Sequence, residues 1–409
     1  MSLREIESIK ELKDCLQEQK ELKKCVIQGL DLTSLTECLL QQDLSLTSFL
    51  GCKMEQALYE KAVLDKALVI PAIDSTPYVT CPAKLYRPEE LFDNFDAKNP
   101  SSYLSTYDAR VYDHWWQSGK AEPDSILETL ARRLHDHGIT DALYDLLNDD
   151  SSSKEVVAIM GGHGMSRDNG AYHKVAKLSR LLTQRGFFMA SGGGPGAMEA
   201  THLGAWFASR DEIDLERAFT ILSEFANFDA KQTGNWLAPA FRVRKEFPLE
   251  PGKEDKCASL GIPTWLYGHE PPNPFATHIA KYFANSIREE GLMTVATYGI
   301  VYSPGSAGTI QEIFQDACQN HYNTVGVVSP MIFLDKKYWT EKKPVYPILE
   351  QLAQGQDYAK YLFITDDIDE VVERLEEYRQ ERPKLDAQKE AAQAKRQEEW
   401  EARRKSQKS

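Results

Sequence analysis

Apolar residues in the second half of the chain alternate between two rhythms. Apolar-rich runs at 156–160, 187–191, 263–267, 299–303, 325–333 and 361–365 predict strands buried on both faces. Helix-period stripes between them predict helices at Tyr172–Arg185, Gly196–Ala208, Thr277–Glu290 and Gly308–Asn320. Met198, His202, Leu203 and Trp206 share one face of the second of these. Ile310, Ile313, Phe314 and Ala317 share one face of the last. Strands alternating with helices predict an α/β fold with a doubly wound, Rossmann-like parallel sheet.

The first 150 residues pattern differently. An opening charged helix precedes short elements such as Cys25–Leu30 and Ala67–Pro71, and Leu35, Leu39, Leu44 and Leu46 hint at a small core. This predicts a smaller α/β cap, with a helix starting at Pro123-Asp124-Ser125. The polar run Asn148–Ser153 is the expected boundary, so residues 1–150 and 151–378 read as two regions. Residues 231–275 read as an insertion rich in proline and charge, with Arg242 and Arg244 spaced as on a strand or extended loop. Residues 379–409 read as a charged helical tail that Pro383 is expected to break.

Three predicted strands end in glycine turns: Gly161-Gly162-His163-Gly164, Gly192-Gly193-Gly194-Pro195-Gly196 and Pro304-Gly305-Ser306-Ala307-Gly308-Thr309. Strand, glycine turn and helix in that order present free N–H groups and a positive helix end to an anion, usually phosphate. The third turn adds the hydroxyls of Ser306 and Thr309, and Glu312 lies one turn into the following helix, placed for proton chemistry beside a phosphate. Three such turns at the carboxyl edge of one parallel sheet predict a nucleotide crevice.

The stretches at 192–200 and 304–312 together resemble the paired signature of the LOG family, proteins long mislabelled lysine decarboxylases. Many members are nucleoside 5′-monophosphate phosphoribohydrolases. The resemblance spans about residues 153–375, and the extra N-terminal region is similar to that of the longer bacterial members. It implies that Gly162, Gly192, Gly193, Gly194, Gly196 and Glu199, with Gly305, Ser306, Ala307, Gly308 and Thr309, bind the nucleotide and its phosphate. Glu312 is then the catalytic carboxylate. Arg288, on the helix before the motif-bearing strand, is the match for the family's catalytic arginine. Ser306 stands where the family usually has glycine. The implied reaction is hydrolysis of the N-glycosidic bond to free base and ribose 5-phosphate, without metal or redox cofactor, in a homodimer or higher homo-oligomer. A non-catalytic sensor or carrier using the same crevice is the alternative. A dinucleotide oxidoreductase fits less well, because no acidic ribose partner ends a strand some twenty residues beyond Gly192; Asp211 and Glu212 fall in a predicted helix.

Charge and composition narrow the partners. A net charge of −14 over 409 residues argues against broad nucleic-acid binding but not against one phosphate held by amide dipoles. Seven scattered cysteines form no Cys-x-x-Cys pair, which predicts reduced thiols and a cytoplasmic setting, with Cys318 packed on its helix. No apolar run reaches membrane-spanning length and no signal-peptide core opens the chain. His163 and His269 read first as structural histidines and second as substrate contacts, and Trp115-Trp116 reads as packing between cap and sheet before an aromatic lid.

Overall fold

The computed structural model describes residues 4–18, 21–148, 153–266, 270–324 and 328–406. Two parallel sheets organise them. The first has the order β1 (Arg4–Ile6), β2 (Cys25–Gln28), β3 (Ser48–Cys52), β4 (Leu68–Pro71). Helices α1 (Ile9–Gln17), α2 (Thr36–Leu40) and α3 (Gln56–Leu64) connect its strands. Its core is small: Ile6, Leu12, Ile27, Leu39, Leu44, Phe49 and Leu58 are fully buried together. The α1 helix begins at a capping box in which Ser8 and Glu11 satisfy each other's backbone N–H groups.

Three further helices, α4 (Pro88–Leu91), α5 (Tyr107–Gln117) and α6 (Ile126–Leu147), lead to the second sheet. Ile73, Tyr78, Val111, Trp115, Ile139 and Leu143 pack in the core of that sheet, so packing changes allegiance between residues 69 and 73. Of the boundary run expected at Asn148–Ser153, residues 149–152 lie outside the described residues.

The second sheet comprises β5 (Val156–Met160), β6 (Phe188–Ser191), β7 (Ser259–Gly261), β8 (His278–Ile279), β9 (Gly299–Tyr302), β10 (Met331–Leu334) and β11 (Leu362–Thr365). Every pairing is parallel, in the order β11-β10-β9-β5-β6-β7-β8. The expected α/β architecture is therefore present. Strand alternation explains the continuous apolar runs. Val156, Ala158 and Met160 feed one core while Val157 and Ile159 feed the other, and Ile300/Tyr302 divide from Val301 in the same way.

Helices cover both faces. Among them are α7 (Gly170–Gln184), α8 (Ala197–Trp206), α9 (Glu212–Leu222), α10 (Thr233–Glu246), α11 (Asn285–Val295), α12 (Ala307–Tyr322), α13 (Tyr346–Ala353) and α14 (Ile368–Ser406). The chain runs outward from β5 to β8, then crosses back to β9 on the other side of β5. The sheet's switch point thus lies between β5 and β9.

Several sequence expectations change. The strand expected at 263–267 is instead β7 at 259–261. Pro263 has no N–H for the ladder, and Thr264 keeps only an isolated bridge to Tyr282. The helix expected from Thr277 starts at Asn285, because residues 275–283 are buried nearly all round and show no helical stripe. The strand expected across 325–333 is confined to Met331–Leu334, with 325–327 outside the described residues; Tyr267 and His269 also lie outside them. Arg242 and Arg244 ride on α10, where they pair with Glu224 and Glu89. Pro383 does not break α14; an Arg382–Asp386 ion pair at 2.9 Å spans it, and Arg382 donates to Thr297 O at 2.6 Å. Cys318 is exposed.

Candidate active site at the sheet switch point

The carboxyl ends of β5 and β9 meet in hydrogen bonds. Ser303 N donates to Met160 O at 2.9 Å, and Gly162 N donates to Pro304 O at 3.1 Å. These bonds fix the first and third glycine turns side by side. A cleft of about 850 Å³ opens above them, within the range that encloses a small ligand. Gly162, Gly192, Gly305, Ser306, Ala307, Gly308, Thr309, Arg288 and Glu312 line it, so the structure brings most of the sequence candidates together.

The third turn is the open one. Ser306 is the N-cap residue of α12, yet its hydroxyl makes no capping bond, and residues 306–308 are exposed. The first N–H groups of a helix have no partner inside it, so those of α12 face the cleft with the positive end of its dipole. Lys343 reaches over this loop, donating to Ser306 Oγ at 3.0 Å and Gly305 O at 3.2 Å; Tyr338 Oη donates to Gly305 O as well.

The second turn is engaged elsewhere. Gly193 and Gly196 have φ of +73° and +70°, conformations that side chains resist. At Gly193 a Cβ would press on Gly261 Cα at 3.1 Å. The carbonyl of Gly193 accepts from Asn273 N at 2.8 Å, and Ala197 N, opening α8, donates to Gly162 O at 3.2 Å. Gly193, Gly194 and Gly196 therefore lie buried beneath the cleft without lining it, and Gly192 alone of the group faces it.

Glu199 is also displaced from the expected role. Fully buried, it accepts from Arg167 Nε at 2.8 Å, from Arg167 Nη2, and from Tyr172 Oη at 2.9 Å. It neutralises a buried arginine instead of touching the cleft. His202 likewise ties β6 and β7 together through Ser191 Oγ (2.7 Å) and Ser259 Oγ (2.9 Å), and burial lowers its pKa to about 3. The Trp115 ring is buried, Trp116 lies under Lys120, and neither lines the cleft.

Glu312 and Arg288 face one another, with Glu312 Oε1 3.3 Å from Arg288 Nη1 and each side chain 12% exposed. Arg288 Nε donates to Ile262 O at 3.2 Å, and its guanidinium occupies the space that a Cβ at Gly192 would need. Burial raises the Glu312 carboxyl above the ordinary glutamate range, Arg288 pulls it back, and Glu289 adds to the rise. One turn on, buried Asp316 accepts from Tyr302 Oη at 2.7 Å, and desolvation pushes its pKa up to about 7.

Sequence reasoning missed several cleft residues: Tyr338, Glu270, Glu289 and Gln311, together with Lys343 at the loop. Tyr338 and Lys343 follow β10, the next strand along the switch edge. Extending the strand-end rule to β10 would have found them. Gln311 Nε2 holds Glu289 at 2.8 Å, and His163 Nδ1 stands 3.6 Å from Glu270 Oε1. Among the described residues no helix is long and apolar enough to cross a membrane.

No protein-family model and no curated protein sequence matches the chain. Among solved structures it is similar to a molybdenum cofactor binding protein from the phototrophic bacterium Rippkaea orientalis, at 13% identity and a TM-score of 0.33. That match covers 55% of this chain and 96% of the other. A molybdenum cofactor carrier protein from Chlamydomonas reinhardtii aligns at 12% identity and a TM-score of 0.34, over 55% and 98% of the two chains.

Proposed function

We propose that the cleft hydrolyses the N-glycosidic bond of nucleoside 5′-monophosphates, releasing free base and ribose 5-phosphate. The observation that carries this reading is the Glu312–Arg288 pair set beside the open amino end of α12. The 5′-phosphate would sit on the N–H groups of residues 307–309, with the Thr309 hydroxyl, while Lys343 supplies a cation at the rim. That remote grip would orient the ribose towards Glu312. As the glycosidic bond breaks, positive charge grows on the sugar and negative charge on the base. Ionised Glu312 would stabilise the former and take a proton from the attacking water; Arg288 would stabilise the departing base. Partial desolvation of the carboxylate strengthens both effects.

A second reading, a nucleotide sensor or carrier, draws support from the same ion pair, which in this state engages the two reactive groups with each other. Incubating the purified chain with adenosine, guanosine, cytidine, uridine and inosine monophosphates and measuring free base and ribose 5-phosphate separates the two. Release from at least one supports hydrolysis; tight binding with no release from any supports the carrier.

A further inference from the structure

Helix α11 carries Arg288 but starts without a cap of its own: its N-cap residue is Ala284, which has no side-chain acceptor. The acceptor comes from the N-terminal half of the chain. Asp136, in the middle of α6, is 1% exposed and spends both carboxylate oxygens on this start. Oδ1 accepts from Phe283 N at 2.9 Å, and Oδ2 accepts from Ala284 N at 2.8 Å. A carboxylate there satisfies the two backbone N–H groups that lead into the helix and complements its positive end.

Asp136 is itself held in place. His135 Nδ1 is 3.0 Å from Asp136 Oδ1, and His135 Nε2 is 2.9 Å from Tyr86 Oη, both inside the core. The neighbouring segment is clamped too, with Trp265 stacked on Phe283 and Thr140 Oγ1 3.3 Å from Tyr282 Oη. From this start the helix delivers Arg288 one turn later to Glu312.

We propose that Asp136 is the positioning residue for Arg288, so that the region preceding the nucleotide-binding sheet sets the geometry of its reactive pair. The inference rests on the hydrolytic reading for its kinetic test but not for its structural one. A carboxylate that fixes the helix start fixes where the guanidinium lies, and misplacement of a reacting group by about 1 Å can cost on the order of a hundredfold in rate. Asparagine keeps one acceptor at most and turns an amide donor towards a backbone donor. Alanine removes both acceptors.

The test uses the full chain with Asp136→Asn, Asp136→Ala, Arg288→Ala and the double variant Asp136→Asn/Arg288→Ala. A Thr140→Val control loses a contact at the same interface but keeps the cap. Asp136→Asn is expected to lower kcat by roughly tenfold to a hundredfold with little change in KM, and Thr140→Val to leave both near wild type. In the Arg288→Ala background Asp136→Asn should cause no further fall in kcat, because the group it positions is gone. An equal fold-loss in both backgrounds would overturn the proposal. If the unsubstituted chain releases no base at all, the hydrolytic reading fails but the positioning claim is still decided. Asp136→Asn must then show faster hydrogen exchange at Phe283, Ala284 and the first turn of α11, and a crystal structure of the variant must show the Arg288 guanidinium moved from its place beside Glu312. Wild-type protection or an unmoved guanidinium would refute it.

Discussion

Replacing Glu199 by glutamine separates what the glycine motif looks like in sequence from what it does in the fold. The carboxylate accepts three hydrogen bonds, two from Arg167 and one from Tyr172, at a site with no solvent access. The Arg167 guanidinium is 1% exposed and lies 4.5 Å from the Trp236 ring centroid. Its other bonds go to the carbonyls of Phe225 (3.2 Å) and Trp236 (2.9 Å). Glutamine keeps the shape but removes the countercharge and points an amide donor at donors. Breaking a buried pair by removing one partner costs about 3–5 kcal/mol, a large part of the ~5–15 kcal/mol that holds a domain folded. Urea unfolding followed by tryptophan fluorescence should show a lowered midpoint at unchanged slope. Turnover per folded molecule should be nearly normal. Wild-type stability combined with lost turnover would refute this reasoning and return Glu199 to the site.

Glu312→Gln should lower kcat by about 10²–10⁴ while calorimetry shows near-normal affinity for the monophosphate; unchanged turnover would remove this glutamate from the mechanism. In the proposed reaction Glu312 acts ionised and its pKa is raised, so kcat/KM should fall as pH drops through a value above the ordinary glutamate range. Asp316 binds its proton more tightly folded (pKa about 7) than unfolded (3.8), so between those values folding takes up a proton. Stability should therefore decline as pH rises through this window, by up to about 1.4 kcal/mol per pH unit, and Asp316→Asn should flatten the decline in urea titrations. Gly192→Ala puts a methyl into the space held by the Arg288 guanidinium and Met198 Sδ. A crystal structure of this variant should show Arg288 moved away from Glu312, with turnover reduced; normal turnover with the pair intact would contradict the geometry.

Local patterning determined much of this molecule. Runs such as Val156–Met160 and Gly299–Tyr302, short and apolar on both sides and ended by glycine or proline turns, read as interior strands, and the helical stripes between them read as crossovers; together these point to a parallel α/β sheet. The third glycine turn and Glu312 were legible because strand, turn and helix follow one another in the chain. Glu199 could not be assigned that way: its partners Arg167 and Tyr172 lie 32 and 27 residues away, and only packing shows that its charge is consumed internally. Nor could Lys343, 37 residues from the loop it touches, or Asp136, 148 residues from the helix start it caps. Sequence spacing reports on neighbours along the backbone. Which charges are neutralised, which amides stay open and which helix end borrows its acceptor are decided by contacts between distant segments, formed only when both faces of the sheet are covered.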